Sequence, residues 1–418
     1  MPFTRRTALK LFGIPPVAYM LGPGGLAAAA AEDEATLTPA RRDELLSDAR
    51  AAWEFFEQPG KQMTGLVPAN IWPEDDSYGS YRILTMWDVG SILLATMSAH
   101  ALGIIDDETR LERIAGIDRF LRKATYRYRG AKLPNFRSNI DTAKSVESGY
   151  DATDTARLFV ALHVADRTKV PGIDSRALIS SWDLARTIRN GQICGIKNGK
   201  MEPADFYVYR YYVSRAYTLW NIDHKPVISG EPPNASEAAR QAFVKELGSI
   251  GPISSEPSLA EEVELGPSPY SQGIVRLLET AQLKRYKETS RLTCVSESPM
   301  DKEPWFTYQG YDLTREGEAA WTVYPWKTQK RWDTPDFASK FRMVSSKAAF
   351  LWYATRPNAY TEKLWLHVRE KARAPKYGFY PGVYERTGEP SRNIDVNTNA
   401  TILEAVAYAL RGRKPLLS

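Results

Sequence analysis

The stretch that decides the fold is Met86-Trp87-Asp88-Val89-Gly90-Ser91-Ile92-Leu93-Leu94-Ala95-Thr96-Met97-Ser98-Ala99. From Val89 to Leu102 the chain is almost uniformly apolar or small, with no charge and no proline. A helix that is apolar on all sides must be surrounded by protein. Asp88, the one charged residue, lies in the first turn, where a carboxylate caps free N–H groups and faces open space. The stretch therefore predicts a buried helix whose start lines a pocket.

The same plan, a polar residue at the helix start and an apolar helix after it, recurs twice. Asp154 precedes Leu158-Phe159-Val160-Ala161-Leu162, and Asn397-Thr398-Asn399 opens the run from 400 to 408. These helices are also too apolar to face water. Together the three predict an inner ring of buried helices whose polar N-termini converge on one pocket.

Amphipathic helices alternate with the apolar ones. Within residues 106–122, four apolar residues form one stripe with charges on the opposite face, which is typical of a helix half open to water. An outer amphipathic helix followed by an inner apolar helix, repeated, is the arrangement of an α/α toroid. The helices expected from these patterns span 38–56, 88–102, 106–122, 154–165, 174–190, 345–355 and 359–372. Signals for β structure are few, with a hairpin expected around Ile193–Met201.

Residues 1–31 have the composition of an export signal. Arg5, Arg6 and Lys10 precede an apolar run from Leu11 to Ala31 that contains no acidic residue. The paired arginines predict a twin-arginine signal and a protein of the periplasm or the exterior. An uncleaved signal anchor is the alternative reading of the same residues.

The remaining chain is predicted to be one domain, residues 32–418, because no linker separates two cores. No other stretch reaches the roughly 18 apolar residues of a membrane span. Residues 222–268 differ from their surroundings, being rich in Pro, Ser and Glu with little periodicity. They are expected to form an insertion or a mobile lid over one face.

The charge and the cysteine count exclude several classes of function. The 418-residue chain carries +5, of which the signal holds three, so the mature chain is about +2. This balance predicts neither nucleic acid nor anionic lipid as a partner. Four histidines without paired spacing, and no CxxC, predict no metal site and no cofactor. Cys194 and Cys294 form either one disulfide or two buried thiols, and spacing does not decide between them.

The chemistry that remains is that of carboxylates beside aromatic rings. For any single acid, capping a helix or forming a surface salt bridge is the commoner role. Here, however, acids and aromatics cluster just before the apolar helices, as glycoside chemistry requires: one acid protonates the leaving oxygen, another activates water, and aromatic faces hold sugar rings. The clusters lie around Asp88, in 147–154, in 205–212, in 305–326, in 331–336 and in 377–399.

Several motifs together resemble a bacterial exported family that was long labelled only as a domain of unknown function. They are Thr64-Gly65-Leu66-Val67-Pro68, Trp87-Asp88-Val89-Gly90-Ser91, Asp154-Thr155-Ala156-Arg157-Leu158, Ser346-Lys347-Ala348-Ala349-Phe350, and Gly378-Phe379-Tyr380 with Tyr384-Glu385 and Asn397-Thr398-Asn399-Ala400. That family groups with the six-hairpin glycosidases and is similar to glucoamylase-like domains that act on β-1,2-glucans. The resemblance implies an all-α, (α/α)6 toroid with long aromatic-rich loops and minor β hairpins. Pro381-Gly382 stands where the family pattern has an acid, which leaves Glu385 as the nearby carboxylate.

The function expected from these observations is that of an exported glycoside hydrolase acting on a bacterial glucan or exopolysaccharide, with β-1,2-glucan implied by the resemblance. Its partner is a polysaccharide or oligosaccharide. One alternative is a non-catalytic binding or scaffolding protein for glucan secretion. The other is a polysaccharide lyase, which the balanced charge disfavours because an acidic polymer requires a basic cleft.

The catalytic roles are assigned from the expected surroundings of each acid. Asp88 and Asp154 begin buried helices and are expected to stay ionised, as suits a base. A general acid needs apolar walls that raise its pKa, which favours Glu318, between Tyr311 and Trp321, or Glu147. Glu385 is a further candidate base. The residues expected to hold the sugar are Tyr81, Trp87, Asp151, Arg157, Tyr311, Trp321, Asn397 and Asn399.

Overall fold

The computed structural model describes residues 37–58, 65–73, 79–204, 209–226, 230–325 and 334–418. The signal expected at 1–31 lies outside these ranges. So do residues 205–208, 326 and 331–333 of the predicted acid–aromatic clusters.

Helices dominate the described residues. They are α1 (Pro39–Glu54), α2 (Met86–Ala101), α3 (Asp107–Lys123), α4 (Ala152–Arg167), α5 (Ser175–Ser180), α6 (Arg210–Leu219), α7 (Glu237–Ile250), α8 (Ser255–Leu265), α9 (Pro269–Thr289), α10 (Pro335–Phe341), α11 (Ser346–Thr355), α12 (Ala359–Lys371) and α13 (Val396–Leu410). Many begin at a side chain that accepts a hydrogen bond from the first turn, such as Thr85 at α2 and Asp106 at α3. The helices predicted at 88–102, 106–122, 154–165, 345–355 and 359–372 are confirmed within about two residues at each end, the usual uncertainty of a helix boundary.

A closed succession of contacts joins the inner helices. Helix α2 packs on α4, α4 on α6, α6 on α8, α8 on α11, α11 on α13, and α13 returns to α2. The outer helices α1, α3, α5, α9 and α12 pack on α13, α2, α4, α8 and α11 respectively. Leu94 and Leu158 have no exposed surface, so the prediction that both lie in the core is confirmed. The described chain is thus a helical, toroid-like layer of inner helices with outer helices around it.

The first two predicted inner helices approach closely at Gly90. A Cβ atom at this position would lie 2.8 Å from the backbone nitrogen of Leu158 and 2.9 Å from the carbonyl carbon of Arg157. No side chain fits at that distance without moving backbone. The N-terminal halves of α2 and α4 are therefore in backbone contact.

The strands of the described residues are short and form small antiparallel sheets. They are β1 (Asn70–Ile71), β2 (Ser80–Tyr81), β3 (Ile83–Thr85), β4 (Thr125–Tyr128), β5 (Ala131–Pro134), β6 (Arg137–Asn139), β7 (Ser145–Glu147), β8 (Gly149–Tyr150), β9 (Ile188–Arg189), β10 (Gln192–Lys197), β11 (Lys200–Pro203), β12 (Ser298–Pro299), β13 (Phe306–Tyr311), β14 (Trp321–Pro325), β15 (Met343–Ser345), β16 (Arg373–Ala374), β17 (Gly378–Phe379), β18 (Gly382–Tyr384) and β19 (Ile394–Asp395). The hairpin expected around Ile193–Met201 is confirmed by the pairing of β10 with β11. Strands β3, β15 and β19 lead directly into α2, α11 and α13. They therefore fix where these inner helices begin.

The helix predicted at 174–190 is wrong beyond its first turns. Helix α5 ends at Ser180, a 3-10 turn covers Leu184–Thr187, and a strand follows. The backbone N–H of Asp183 donates to the carbonyl of Lys132 at 2.8 Å, and the Asp183 carboxylate accepts from the N–H of Lys132 at 2.7 Å. These bonds hold the chain against the β4–β5 hairpin, and the helix cannot continue through them.

The insertion expected at 222–268 is also wrong for its second half. This range contains α7 and α8, and α8 is a wholly buried member of the inner ring. Because α8 contains several glutamates, a search of the sequence for apolar helices does not find it.

Cys194 and Cys294 are buried free thiols, which decides the alternative left open by the sequence. Among the described helices, none combines the length and the apolar character that crossing a membrane demands.

Candidate functional site

A cleft of about 630 Å³ lies where the inner helices begin. Its floor carries five acids, Asp88, Asp151, Asp154, Glu297 and Asp395, and we call it the carboxylate cleft. The aromatic side chains that line it are Trp72, Tyr81, Trp87, Phe136, Tyr209, Trp305, Phe306 and Tyr308. The prediction that polar starts of the inner helices meet in one pocket is confirmed for α2, α4 and α13.

Asp88 is held at the start of α2 by a capping box. Its Oδ2 accepts from the backbone N–H of Thr85 at 2.8 Å, and its own N–H donates to Thr85 Oγ1 at 3.3 Å. Burial in the cleft floor raises the pKa of Asp88 to about 6, although the Thr85 bonds oppose this, and the Asp395 charge raises it further. Desolvation outweighs the helix dipole and the hydrogen bonds, but a pKa of about 6 leaves Asp88 mostly ionised at neutral pH, in line with the expectation from the sequence.

Two more acids stand at the start of α4. Asp151 caps the helix by accepting from the N–H groups of Thr153 and Asp154, both at 2.9 Å. The pKa of Asp154 is raised well above its usual value by burial and by the charges of Asp151, Asp88 and Glu297. This direction opposes the expectation that the start of α4 favours the ionised form of Asp154. An acid among three others is harder to ionise, because each neighbouring negative charge disfavours a further one.

Glu297 is the cleft acid that the sequence analysis missed. It lies just before β12, and its pKa is raised to about 7 by burial and by the charge of Glu256. The Tyr209 hydroxyl and the Lys347 ammonium oppose this rise. In the sequence Glu297 stands in Ser296-Glu297-Ser298-Pro299, with no aromatic residue beside it. Its aromatic and charged neighbours come from distant segments, so no local signal marks it.

Glu147, one predicted acid, stands beside the cleft and does not line it. Its carboxylate pairs with Arg137 Nη1 at 3.1 Å and is 41% exposed. Arg137 does line the cleft, where its charge lowers the pKa of Asp88 and of Asp154 against the larger effect of burial. Glu147 therefore lies outside the cleft, where it pairs with a cationic residue that lines the cleft.

Glu318 and Glu385 meet each other in a different pocket. This arginine pocket, of about 460 Å³, is lined by Glu318, Trp321, Glu385 and four arginines, Arg291, Arg315, Arg342 and Arg386. Arg285 Nε lies 2.7 Å from Glu318 Oε1, and Arg285 Nη2 lies 2.6 Å from Glu385 Oε1. Arg342 Nη1 adds a contact of 3.1 Å to Glu318.

The surroundings of Glu318 are opposite to those expected of a proton donor. Hydrogen bonding to Arg285 lowers its pKa to about 2, with the charge of Arg342 acting in the same direction. The aromatic walls foreseen from the sequence do exist, since Tyr311 packs on Trp321 at 4.8 Å between ring centroids. The guanidinium groups outweigh them, so the expectation of a raised pKa is wrong.

The residues expected to bind the sugar lie in different parts of the structure. Tyr81, Trp87, Asp151 and Asn397 line the carboxylate cleft. Arg157 has no exposed surface and pairs with Glu264 and Glu404 inside the ring. Asn399 is also fully buried, and its Oδ1 accepts from the N–H of Phe379 at 2.8 Å. Neither Arg157 nor Asn399 presents an atom to the cleft, because each is committed to partners in the core.

Within the part of the chain that the structure describes, no group of three or more His, Cys, Asp or Glu side chains has the geometry of a metal site. Within the carboxylate cleft, acids that lie close together differ in pKa. Such differences are typical of acid–base sites, where one group must donate a proton and another accept one.

The sequence profile of a family described as "Protein of unknown function (DUF3131)" matches residues 47–412. No curated protein matches the sequence. Among solved structures, the endo-β-1,2-glucanase from Chitinophaga pinensis, in complex with sophorotriose and glucose, aligns over 90% of this chain and 94% of its own with a TM-score of 0.55 and 13% identity. The β-1,2-glucanase from Parabacteroides distasonis covers 92% of this chain and 58% of its own (TM-score 0.56, 15% identity).

A fungal structure extends the likeness. The endo-β-1,2-glucanase from Talaromyces funiculosus, in complex with sophorose, covers 90% of this chain and 85% of its own, with a TM-score of 0.53 and 10% identity. At these identities the likeness is one of fold.

Proposed function

We propose, from the premise that the chain belongs to the DUF3131 family, that it is a glycoside hydrolase which cleaves a glucan by carboxylate acid–base catalysis. The observation that carries the proposal is the carboxylate cleft, in which acids with raised pKa values stand among aromatic rings. The fold supports the same class of activity, since structures of glucanases that act on β-1,2-linked chains share it. We therefore infer that the substrate is a β-1,2-glucan.

We also propose that the inner and outer helices form the six hairpins of an (α/α)6 toroid. Six inner helices, α2, α4, α6, α8, α11 and α13, contact one another in a closed order among the described residues. Counting α7 with the five outer helices above gives six partners, because Phe243 of α7 packs against Tyr211 of α6 at 5.8 Å. This count supports an (α/α)6, six-hairpin toroid.

In the mechanism we propose, Glu297 is the general acid and Asp88 the general base. With a pKa of about 7, Glu297 retains a large protonated fraction at neutral pH and gives its proton to the glycosidic oxygen as the bond breaks. Asp88, with a pKa of about 6, is mostly ionised there and accepts a proton from the water that attacks the anomeric carbon. Asp154, whose pKa is raised by burial and by the neighbouring acids, forms a hydrogen bond with a sugar hydroxyl. Tyr81, Trp87 and Trp305 supply apolar faces for the sugar rings.

The test is cleavage of a panel of glucans by the purified protein, with release of oligosaccharides measured by chromatography. We expect products from β-1,2-glucan. Binding of the glucan without any release favours the alternative of a non-catalytic binding protein. The lyase alternative is disfavoured by the cleft itself, because five acids against Arg137 and Lys347 would repel an acidic polymer.

A pair of matched variants separates the two pockets. Glu297→Gln removes the proposed acid, so we expect a loss of about 10²- to 10⁴-fold on unactivated glucan, and a smaller loss on a substrate whose leaving group needs little protonation. Glu318→Gln makes the same chemical change in the arginine pocket and should keep activity within about threefold of the unaltered protein. The reverse pattern would transfer the chemistry to Glu318 and Glu385.

We also propose export to the periplasm or the exterior through the signal at residues 1–31. The paired guanidinium groups of Arg5 and Arg6 are the recognised feature. Replacing both by lysine keeps the charge, yet we expect the precursor to accumulate in the cytoplasm, as measured by fractionation and immunoblot. Normal export of this variant would contradict a twin-arginine route.

A further inference from the structure

A buried ion pair adjoins the carboxylate cleft, and one of its members, Lys347, is among the residues that line the cleft. Glu256, near the start of α8, is 1% exposed, and Lys347, in the first turn of α11, is 2% exposed. The Lys347 ammonium contacts Glu256 Oε2. Burying two charges is unfavourable unless further hydrogen bonds satisfy them. The partners of this pair therefore indicate what it holds in place.

Glu256 connects three segments that form the cleft floor. Ser296 Oγ donates to Glu256 Oε2 at 3.0 Å, and Asn397 Nδ2 donates to Glu256 Oε1 at 2.6 Å. Ser296 is the residue before Glu297, and Asn397 lines the cleft in the first turn of α13. One carboxylate thus ties the Glu297 loop to α13 and, through Lys347, to α11.

The charges around Glu297 act in opposite directions. Glu256 raises the pKa of Glu297, after the larger effect of burial, and Lys347 lowers it. The other titratable groups that face Glu297 are the Tyr209 hydroxyl and Asp154. Asp395 is near the same pair, since both Lys347 and Glu256 affect its pKa. Glu256 and Lys347 are thus the opposite charges that act on Glu297 from two inner helices.

We propose that Glu256 and Lys347 are positioning residues which hold Glu297 at the cleft floor and, by their opposed charges, set the pH range in which it donates its proton. The inference rests on the proposed function. It concerns residues that act through Glu297, so neither needs to touch the sugar.

The test uses the alkaline limb of the pH profile of kcat/KM, which reports the deprotonation of the general acid. Glu256→Gln removes a negative charge and leaves Lys347, so the limb should move to lower pH by about one unit, the size expected for a nearby charge. Lys347→Met removes the positive charge and should move the limb to higher pH by about the same amount. A purely structural role predicts loss of activity without shifts of opposite sign.

The double variant Glu256→Gln/Lys347→Met keeps the proposal testable if either single variant folds poorly. It leaves no unpaired buried charge, and its limb should return to within about 0.3 units of the original, because two opposed shifts cancel. Lys363→Met, at an exposed lysine that donates to the Tyr286 hydroxyl at 2.9 Å, is the matched control and should change nothing. Shifts of the same sign, no shifts, or a double variant displaced as far as a single one would each overturn the proposal.

A direct titration separates this inference from the proposed function. In protein labelled with ¹³C at the glutamate carboxyl, the Glu297 resonance is the one that Glu297→Gln removes. Its midpoint should fall in Glu256→Gln and rise in Lys347→Met. If the protein cleaves no glucan, the proposed function fails. The titration then still decides whether this pair controls Glu297, and unmoved midpoints would refute it.

Discussion

Helices α2 and α8 are both buried in the inner ring, but they are buried for different physical reasons. Helix α2 carries charge-bearing groups only near its ends, at Asp88 and His100, and it packs through apolar side chains. Helix α8 has the sequence Ser-Glu-Pro-Ser-Leu-Ala-Glu-Glu-Val-Glu-Leu, and all eleven of its residues are buried. Apolar area is non-directional, whereas each buried carboxylate requires a partner in a fixed position.

The glutamates of α8 find those partners on other inner segments. Glu256 pairs with Lys347 of α11, Glu261 with Arg215 of α6, Glu262 with Arg356 after α11, and Glu264 with Arg157 of α4. The charged side chains of α8 therefore determine which helices pack beside it. The apolar side chains of α2 require only that the helix be buried. The comparison shows that burial in this ring does not require apolar sequence.

The strongest test of this contrast is Glu264→Ala. The Glu264 carboxylate accepts from Arg157 and from the Tyr212 hydroxyl, the latter at 2.7 Å. Its removal leaves a buried guanidinium with only Glu404 opposite, so we expect a loss of about 3–5 kcal/mol in the free energy of unfolding, measured by denaturant titration. Glu262→Ala is the control on the same helix. Arg356 is 28% exposed and can be hydrated, so Glu262→Ala should lower the free energy of unfolding less than Glu264→Ala does. Equal losses in the two variants would contradict the contrast between the two helices.

The corresponding test in α2 is Leu94→Ala. Leu94 is fully buried, and truncation leaves a cavity that should cost about 2–5 kcal/mol. Leu111→Ala on α3, where the leucine is 46% exposed, should cost far less. Similar effects at both leucines would place α2 near the surface and remove the basis of the comparison.

The smallest expected effect concerns pH, because the pKa of Asp88 in α2 is raised and that of Glu256 in α8 is lowered. The raised pKa of Asp88 means that folding favours its protonated form, so this favourable contribution is present below about pH 4 and disappears as the pH rises through about 6. Asp88→Asn should therefore increase stability by about 1–3 kcal/mol above that range and by nothing below it.

Glu256 provides the opposite sign. Burial alone would raise its pKa, but Lys347 and Asn397 outweigh burial and leave the pKa lowered. Its contribution is present above the usual carboxylate range and is lost as the pH falls through the folded-state pKa. Glu256→Gln should therefore reduce stability at neutral pH, and thermal unfolding at several pH values compares the two variants. Slopes of the same sign would show that Asp88 and Glu256 do not differ in this respect.

The contrast also explains what the sequence predicted and what it did not. The apolar sequences of α2, α4 and α13 predict that these helices are buried, because periodicity and composition are local properties of a sequence. The burial of α8 is decided by cations far away in the chain, such as Arg157 and Lys347, and no local pattern contains them. A helix rich in Glu, Ser and Pro was therefore expected to be a surface insertion.

The same reason limits the prediction of the site. Asp88, Asp151, Asp154 and Asn397 were found because each begins or precedes an apolar helix. Glu297 lies in a short segment between elements, and its raised pKa depends on Glu256 and on burial by the whole ring. Glu318 looked suitable beside Tyr311 and Trp321, but Arg285, distant in sequence, reverses its electrostatics. Sequence neighbours therefore indicate how a side chain packs better than they indicate which charges surround it.

The glycine at the contact between α2 and α4 connects helix packing with adaptation. Gly90 lets the two backbones approach, and this approach brings the first turn that carries Asp88 towards the first turn that carries Asp154. The Asp88 charge is one cause of the raised pKa of Asp154. A larger residue at position 90 would separate the two turns and weaken that repulsion. The acidity at which this protein works can therefore drift through a substitution that alters no ionisable group.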